Sequence, residues 1–242
     1  MIKFFRHIRR RLLAENRFTR YLIYAIGEIV LVVVGILLAL QVNNWNEGRK
    51  RAVQERKVLK ELLVNLRMDS LDHRSNLKHY ARITRSSSYI VQELEARRAW
   101  DDTMAYHYSK LAEHGLATLN TSAYDNLRSV GFDLISNDSI RIALTSLHGI
   151  TYNRFVQFER ELAADNQSMV ITPVFLKRIR MTGPWNRAEP IDLDRLYDDI
   201  EFIEMARWKA TTMGFLAQLY EGAIISTSDL MRMIEQELDK KE

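Results

Sequence analysis

The sequence contains no cysteine. That absence removes disulfides, thiolate zinc sites, iron–sulfur clusters, cysteine nucleophiles and covalently attached c-type haem. Turn-formers are scarce as well, with nine glycines and three prolines among 242 residues, roughly 5% where average usage gives about 12%. So few backbone punctuators argue against a sandwich or barrel and for long helices. Walker and Rossmann glycine patterns and Gly-x-Ser-x-Gly elbows are also missing, which removes the usual sequence signs of nucleotide binding and serine hydrolysis.

Charge of one sign is confined to one place. The formal balance is +4, but residues 1–60 hold 13 Lys/Arg against 4 Asp/Glu, and the remainder holds 22 against 27. The basic character therefore belongs to the first quarter, and the rest is mildly acidic. A nucleic-acid partner is not expected from such a distribution, because phosphate recognition needs its cations on the folded domain.

What is present is one long apolar run, from Tyr21 to Val42, with Glu28 as its single charge. At 1.5 Å per residue its 22 residues reach roughly 33 Å, enough to cross a hydrocarbon core of about 30 Å. Tyr21, Tyr24 and Trp45 sit where amphipathic rings favour the water–lipid boundary. A small-residue cleavage pattern does not follow the run, so an uncleaved anchor is expected. The basic flanks are nearly equal, but Arg17 and Arg20 lie close before the span while nothing basic follows until Arg49. This tilts the orientation to a cytoplasmic N-terminus in a bacterial inner membrane, with the C-terminal part periplasmic. Residues 1–20 interleave Ile2, Phe4, Phe5, Ile8, Leu12 and Leu13 with Arg6, Arg9, Arg10 and Arg11. That pattern predicts an interfacial helix, with Arg6, Arg9, Arg10, Arg11, Arg17 and Arg20 on lipid head groups.

A carboxyl inside a span costs on the order of 2.5–3.5 kcal/mol on insertion scales, so Glu28 is expected to turn away from lipid. Helical steps place Tyr24, Glu28, Leu31, Gly35 and Ala39 on one face, and Gly35 with Ala39 forms a small-xxx-small spacing that admits a second helix. The expected role of this face is contact with another transmembrane helix, from another subunit or a second copy of the chain.

The run from Tyr21 through Asn43-Asn44-Trp45-Asn46-Glu47 resembles the N-terminal signature of uncharacterised single-pass membrane proteins common in Bacteroidota and related bacteria. A second stretch, Thr121 to Gly131 followed by Leu134-Ile135-Ser136-Asn137 and Leu144, is similar to a weaker pattern in the C-terminal part of the same proteins. The resemblance implies an anchored helical domain beyond the inner membrane, and it brings no activity.

Beyond the span, residues 43–98 read as a juxtamembrane and stalk helix, with apolar positions at Val58, Leu59, Leu62, Leu63, Leu66, Leu77, Tyr80, Ile83, Ile90, Val91 and Leu94 and a weak spot at Ser86-Ser87-Ser88. Residues 99–242 then read as a helical domain. Asp101 is the expected N-cap of a helix through Leu119, Thr121 or Ser122 of one ending near Gly131, and Asn137 or Asp138 of one through about Asn166. A shorter helix is expected around Thr172 to Met181. Thr182 to Pro190 is the longest expected loop. Asp192 opens a helix repeating Leu196, Ile200, Ile203, Trp208, Phe215 and Leu219, and a last segment starts at Ser226 or Ser228. No period-two stretch is convincing, so the fold class is all-α.

Six histidines (His7, His73, His79, His107, His114 and His148) lack the carboxylate spacing of a metal motif. Acid pairs at Asp101-Asp102, Asp192 with Asp194, and Asp198-Asp199 read as surface or capping groups rather than an acid–base dyad. No catalytic residue, metal or cofactor is expected. Trp185, after Gly183-Pro184, is the residue most suited to protrude toward a protein partner. The resulting expectation is a non-enzymatic accessory or scaffold subunit on a larger membrane complex, with membrane lipids and other subunits or copies of itself as partners. A membrane-tethered sensor or ligand-binding module is the alternative.

Overall fold

A computed structural model of the chain describes residues 18–115, 117–183 and 186–241. Its first element, α1 (Phe18–Glu95), contains the apolar run and continues through the predicted stalk. The chain divides into two compact units, Met1–Gln54 and Glu55–Glu242.

In the first unit, the apolar stretch of α1 is long and apolar enough to cross a membrane, and its described side chains are exposed or, at Ala25, half-buried. Glu28, Leu31, Gly35 and Ala39 are exposed along it. Arg20 and Tyr24 lie within the helix, with side chains outside the described residues. Arg6, Arg9, Arg10, Arg11 and Arg17 lie outside the described residues, as does the expected interfacial segment around them.

The second unit is all-α with one small ribbon. After α1 come α2 (Met104–Lys110), α3 (Ser122–Val130), a 3₁₀ turn (Phe132–Leu134) and α4 (Asp138–Ser146). A helical run follows in which π-helical turns (Leu147–Tyr152, Glu159–Asp165, Gln167–Ile171) alternate with α5 (Asn153–Phe158) and α6 (Thr172–Arg178). Strands β1 (Ile179–Met181) and β2 (Ala188–Pro190) pair antiparallel, then come α7 (Leu193–Leu196) and α8 (Ile200–Lys240).

The frame is an antiparallel pair made by α8 and the part of α1 from Glu55 onward. Three core clusters record the register. Leu59, Leu62 and Leu66 pack with Leu230, Ile234 and Leu238; Tyr80 and Ile83 with Met213, Leu216 and Tyr220; Ile90 and Leu94 with Phe202, Met205 and Ala206. Exposed ion pairs Arg67–Glu235 (2.8 Å) and Arg207–Glu95 (2.6 Å) keep the same register at the two ends. The apolar burial supplies the stability, since exposed pairs add at most about 1 kcal/mol each.

The run from Asn153 to Arg178 has an unusual burial period. Phe155, Glu159, Ala163, Gln167, Ile171 and Phe175 are all buried, four residues apart at every step. A pure α-helix turns in 3.6 residues, so a strict period of four would wind its stripe off the core. Interleaved π turns, with their wider i→i+5 bonding, remove that drift and hold the stripe on one face. They also carry two polar residues, Glu159 and Gln167, into the interior.

Several local expectations need correction. Ser86-Ser87-Ser88 does not weaken α1; Ser86 and Ser87 are buried and the helix passes through them. Thr103, not Asp101, stands at the N-cap of α2, which ends at Lys110 rather than Leu119. Asp101 instead accepts from Thr103 N–H at 2.8 Å, closing the preceding turn. Ile179 to Met181 is extended because it pairs with Ala188 to Pro190 across the expected loop. The Asp192 helix is a single turn, and Asp199 caps α8 through Phe202 N–H at 3.0 Å. Ser226 and Ser228 interrupt nothing. Ile200, Trp208 and Phe215 are exposed; the buried face of α8 is carried by Phe202, Met205, Ala206, Lys209, Met213, Leu216 and Tyr220. Asn137 caps α4 as expected, accepting from Ser139 N–H at 3.0 Å and Ile140 N–H at 3.3 Å.

Gly131 ends α3 at φ +112°. A Cβ there would lie 2.8 Å from Asp133 Oδ1, and the backbone region itself suits glycine alone. Gly131→Ala should therefore destabilise the domain by about 1–3 kcal/mol, read as a lowered denaturant midpoint with an unchanged slope.

Candidate functional site

The most heavily built polar region lies where α1, α3, the π-helical run and α8 meet. Asp69, fully buried on α1, accepts two bonds at Oδ1, from Asn120 N–H and Asn120 Nδ2, each 2.9 Å, and one at Oδ2 from the Tyr152 hydroxyl at 2.9 Å. Tyr152 Oη also lies 3.5 Å from Thr227 Oγ1. The desolvated carboxylate is thus satisfied by three donors, which is what keeps such burial tolerable.

One helical turn on, His73 is equally buried, and neither ring nitrogen has a hydrogen-bond partner among the described residues. Its ring meets the edges or faces of Tyr152, Phe155 and Tyr220 at centroid distances of 5.5–5.8 Å. Burial holds its pKa below the usual histidine value, against the opposing pull of Asp69 and Asp72. On the far side of this box, Glu159 accepts from the Tyr80 hydroxyl at 2.9 Å, from the Tyr220 hydroxyl and from Ala117 N–H. Burial raises its pKa, and the three donors oppose that rise. Tyr80 and Tyr220 are pushed up in turn by burial and by the neighbouring carboxylate. Further along, the buried Lys209 ammonium donates to Glu113 O at 2.7 Å and to Gln167 Oε1, and desolvation brings its pKa down to about 7.

This interior row borders a surface cleft of about 540 Å³, within the usual range of small-molecule sites. Tyr124 and His148 form one wall, stacked at 3.9 Å with only 8° between their planes. Tyr152 meets the same imidazole edge-on at 4.9 Å, so the wall is continuous with the Asp69 network. Arg128, Arg160 and Asp125 line the opening, and Gly149 lies in its lining with nothing within 4 Å of where a Cβ would sit. Burial lowers the His148 pKa to about 4, with Asp69 and Asp125 pulling the other way. The imidazole is therefore neutral at ordinary pH.

The remaining expected chemistry resolves into structural work. Asp102 pairs with Arg187, Asp198 with Arg97, and Asp199 with Arg178 at 2.6 Å, while Asp192 caps α7. His107 Nδ1 lies 3.0 Å from Ser86 Oγ. Among the described residues no group of three His, Asp or Glu side chains is arranged to hold a metal ion. Trp185 lies outside the described residues. Along the span, Glu28 has the predicted helical relation to Leu31, Gly35 and Ala39, and a shallow groove of about 370 Å³ runs beside it, lined by Ala25, Ile29, Val32 and Val33.

Residues 28–171 match the model of a family of unknown function, DUF6090. The chain belongs to that family. The match takes in the apolar face from Glu28, the Asp69 network, Glu159 and every residue of the 540 Å³ cleft. No curated protein and no solved structure gives a significant match. Stretches singled out in the sequence by resemblance also have defined roles. Ala123, Leu127, Ile135 and Leu144 fill the core, and Ser136 donates from N–H (2.7 Å) and hydroxyl (2.9 Å) to Glu55. Lys241 bonds the same Glu55 at 2.7 Å and Glu237 at 2.9 Å, while Asn137 donates to Glu237 at 2.9 Å.

Sequence reasoning missed Asp69, Glu159, Gln167 and Lys209 because each reads as an ordinary solvated position on a helix. For Glu159 and Gln167 the available signal was the spacing of four from Phe155 to Phe175, which is too long a period for a simple amphipathic helix; Asp69 and Lys209 carry no such signal.

Proposed function

We propose that this DUF6090 chain is a non-enzymatic, membrane-anchored accessory or scaffold subunit that docks on a larger membrane protein complex. The observation that carries the reading is the face of α1 that combines the Glu28 carboxyl group with Gly35 and Ala39 in an otherwise apolar span. A carboxyl in such a span is best accommodated against another helix, and the two small residues permit close approach. Large apolar side chains left exposed on the second unit, Ile142, Ile150, Met169 and Leu176, suit additional protein contact. The basic flank before the span favours a cytoplasmic N-terminus in a bacterial inner membrane with Arg6, Arg9, Arg10 and Arg11 on lipid, and the acidic balance of residues 61–242 speaks against nucleic acid.

Gentle detergent extraction, affinity isolation of the chain and mass spectrometry test this directly. Stoichiometric companions are expected with the unaltered chain, and Glu28→Leu and Gly35→Leu should each insert normally yet lower their recovery roughly tenfold, the effect of about 1.4 kcal/mol. Unchanged recovery in both variants would overturn the helix-docking reading. A second reading, a membrane-tethered ligand-binding module, draws on the cleft walled by Tyr124 and His148.

A further inference from the structure

We propose that the cleft bounded by Tyr124, Arg128, His148, Gly149 and Arg160 is a binding site for a small planar organic anion, a flat ring carrying a carboxylate or phosphate group. Three observations converge on this class. First, Arg128 and Arg160 are exposed at the cleft, and among the described residues neither guanidinium is engaged in an ion pair or hydrogen bond. Some helical arginines here pair with a carboxylate three residues away, as Arg141, Arg207 and Arg232 do, whereas these two face the cleft without one. Two left over at one concavity present forks that match the two oxygens of a carboxylate or phosphate. With Asp125 the cleft carries a net single positive charge, which favours an anion and leaves one acceptor for a hydroxyl or amino substituent.

Second, His148 is more than nine-tenths buried, lines the cleft, and has no protein hydrogen-bond partner for either ring nitrogen among the described residues. A neutral imidazole at the wall of an open cleft can give one hydrogen bond and accept another from a molecule seated there. Third, an aromatic stack lines the cleft. The Tyr124 and His148 rings lie one over the other at 3.9 Å with 8° between their planes, and aromatic surfaces select flat partners.

The backbone leaves room for that molecule. His148 and Gly149 lie on a π turn (Leu147–Tyr152), and a Cβ added at Gly149 would meet no heavy atom within 4 Å. Such turns are uncommon and recur at functional sites. A bulky side chain at residue 149 would thus occupy the cleft without disturbing the core behind it.

Equilibrium dialysis of the full chain in dodecyl maltoside micelles provides the test, using 4-nitrobenzoate and 4-nitrophenyl phosphate as ring anions, 4-nitrobenzyl alcohol as the neutral ring and inorganic phosphate as the ringless anion. Saturable binding of at least one ring anion is expected, at least tenfold tighter than either the alcohol or inorganic phosphate. Arg128→Ala and Arg160→Ala should each weaken it tenfold or more, and Gly149→Phe should abolish it while the thermal midpoint stays that of the unaltered chain. Because both arginines are exposed, their variants fold, so lost binding cannot be ascribed to unfolding. Equal uptake of the neutral ring, inorganic phosphate binding as tight as the ring anions, or binding that survives Gly149→Phe would each overturn the proposal.

Discussion

Replacing Asp69 with alanine is expected to destabilise the helical domain by about 3–5 kcal/mol, a large share of the stability of a domain this size. The carboxylate is fully buried and satisfies three donors on two other segments, the N–H and side-chain amide of Asn120 and the Tyr152 hydroxyl. Truncation strands all three in a dry interior and leaves a cavity besides, and each unsatisfied donor costs about 1–3 kcal/mol. Tyr152→Phe takes away only one of the three donors and leaves the two from Asn120, so it should cost less, about 1–3 kcal/mol for the one acceptor left short. Chemical denaturation of the full chain in micelles, followed by near-ultraviolet circular dichroism, separates the two. A loss below about 1 kcal/mol for Asp69→Ala would show that Asn120 and Tyr152 recruit other partners.

A second large effect is expected from acid. His148 has an ordinary pKa of 6.5 in the unfolded chain and about 4 in the folded one, lowered by burial. A histidine with a depressed folded pKa stabilises fully above its unfolded value and loses that contribution as the pH falls through its folded value. Between pH 7.5 and pH 5 the loss is about 2 kcal/mol, approaching 3 kcal/mol near pH 4. The groups facing the ring are Asp69 and Asp125, which pull its pKa upward, with Tyr124 stacked on it and Tyr152 at its edge. Glu159 acts in the opposite sense. Its raised folded pKa gives a contribution present below 4.5 and lost as pH rises through the folded value. His148→Phe keeps a ring in the stack and removes the titration, so the difference between its stability curve and that of the unaltered chain isolates the histidine. A pH-independent difference between pH 5 and pH 7.5 would refute the assignment.

The parts of this molecule legible in its sequence are those governed by local rules. The apolar run from Tyr21 to Val42 declares its length and composition, Asn137 declares a cap, and the helical stretch from Val58 to Leu94 follows ordinary periodicity. The ribbon of Ile179 with Pro190 was hidden because three-residue strands have no measurable alternation. The polar interior was hidden for a different reason. Asp69 and Asn120 lie 51 residues apart, Asp69 and Tyr152 lie 83 apart, and Tyr220 and Glu159 lie 61 apart, so no window of sequence contains both partners. Glu159 and Gln167 also occupy buried stripe positions that only π turns keep aligned, and a period of 3.6 assigns them to water. The candidate cleft shares this origin, since Tyr124 and His148 meet only after α3 and the π-helical run have packed.

The antiparallel pairing of residues 55–95 with α8 has a consequence for biosynthesis. The first long helix of the domain emerges from the ribosome roughly a hundred residues before the helix that covers it, a delay of about 5–20 s at ordinary elongation rates. Throughout that interval Leu59, Leu62, Leu66, Ile83 and Ile90 lack the part of their cover that α8 supplies, on a chain whose apolar stretch is already available for membrane insertion. Closure waits for Leu230 to Leu238 and for Lys241 to reach Glu55. A stalled or truncated nascent chain ending before α8 is therefore expected to leave part of this seam open to chaperones and proteases.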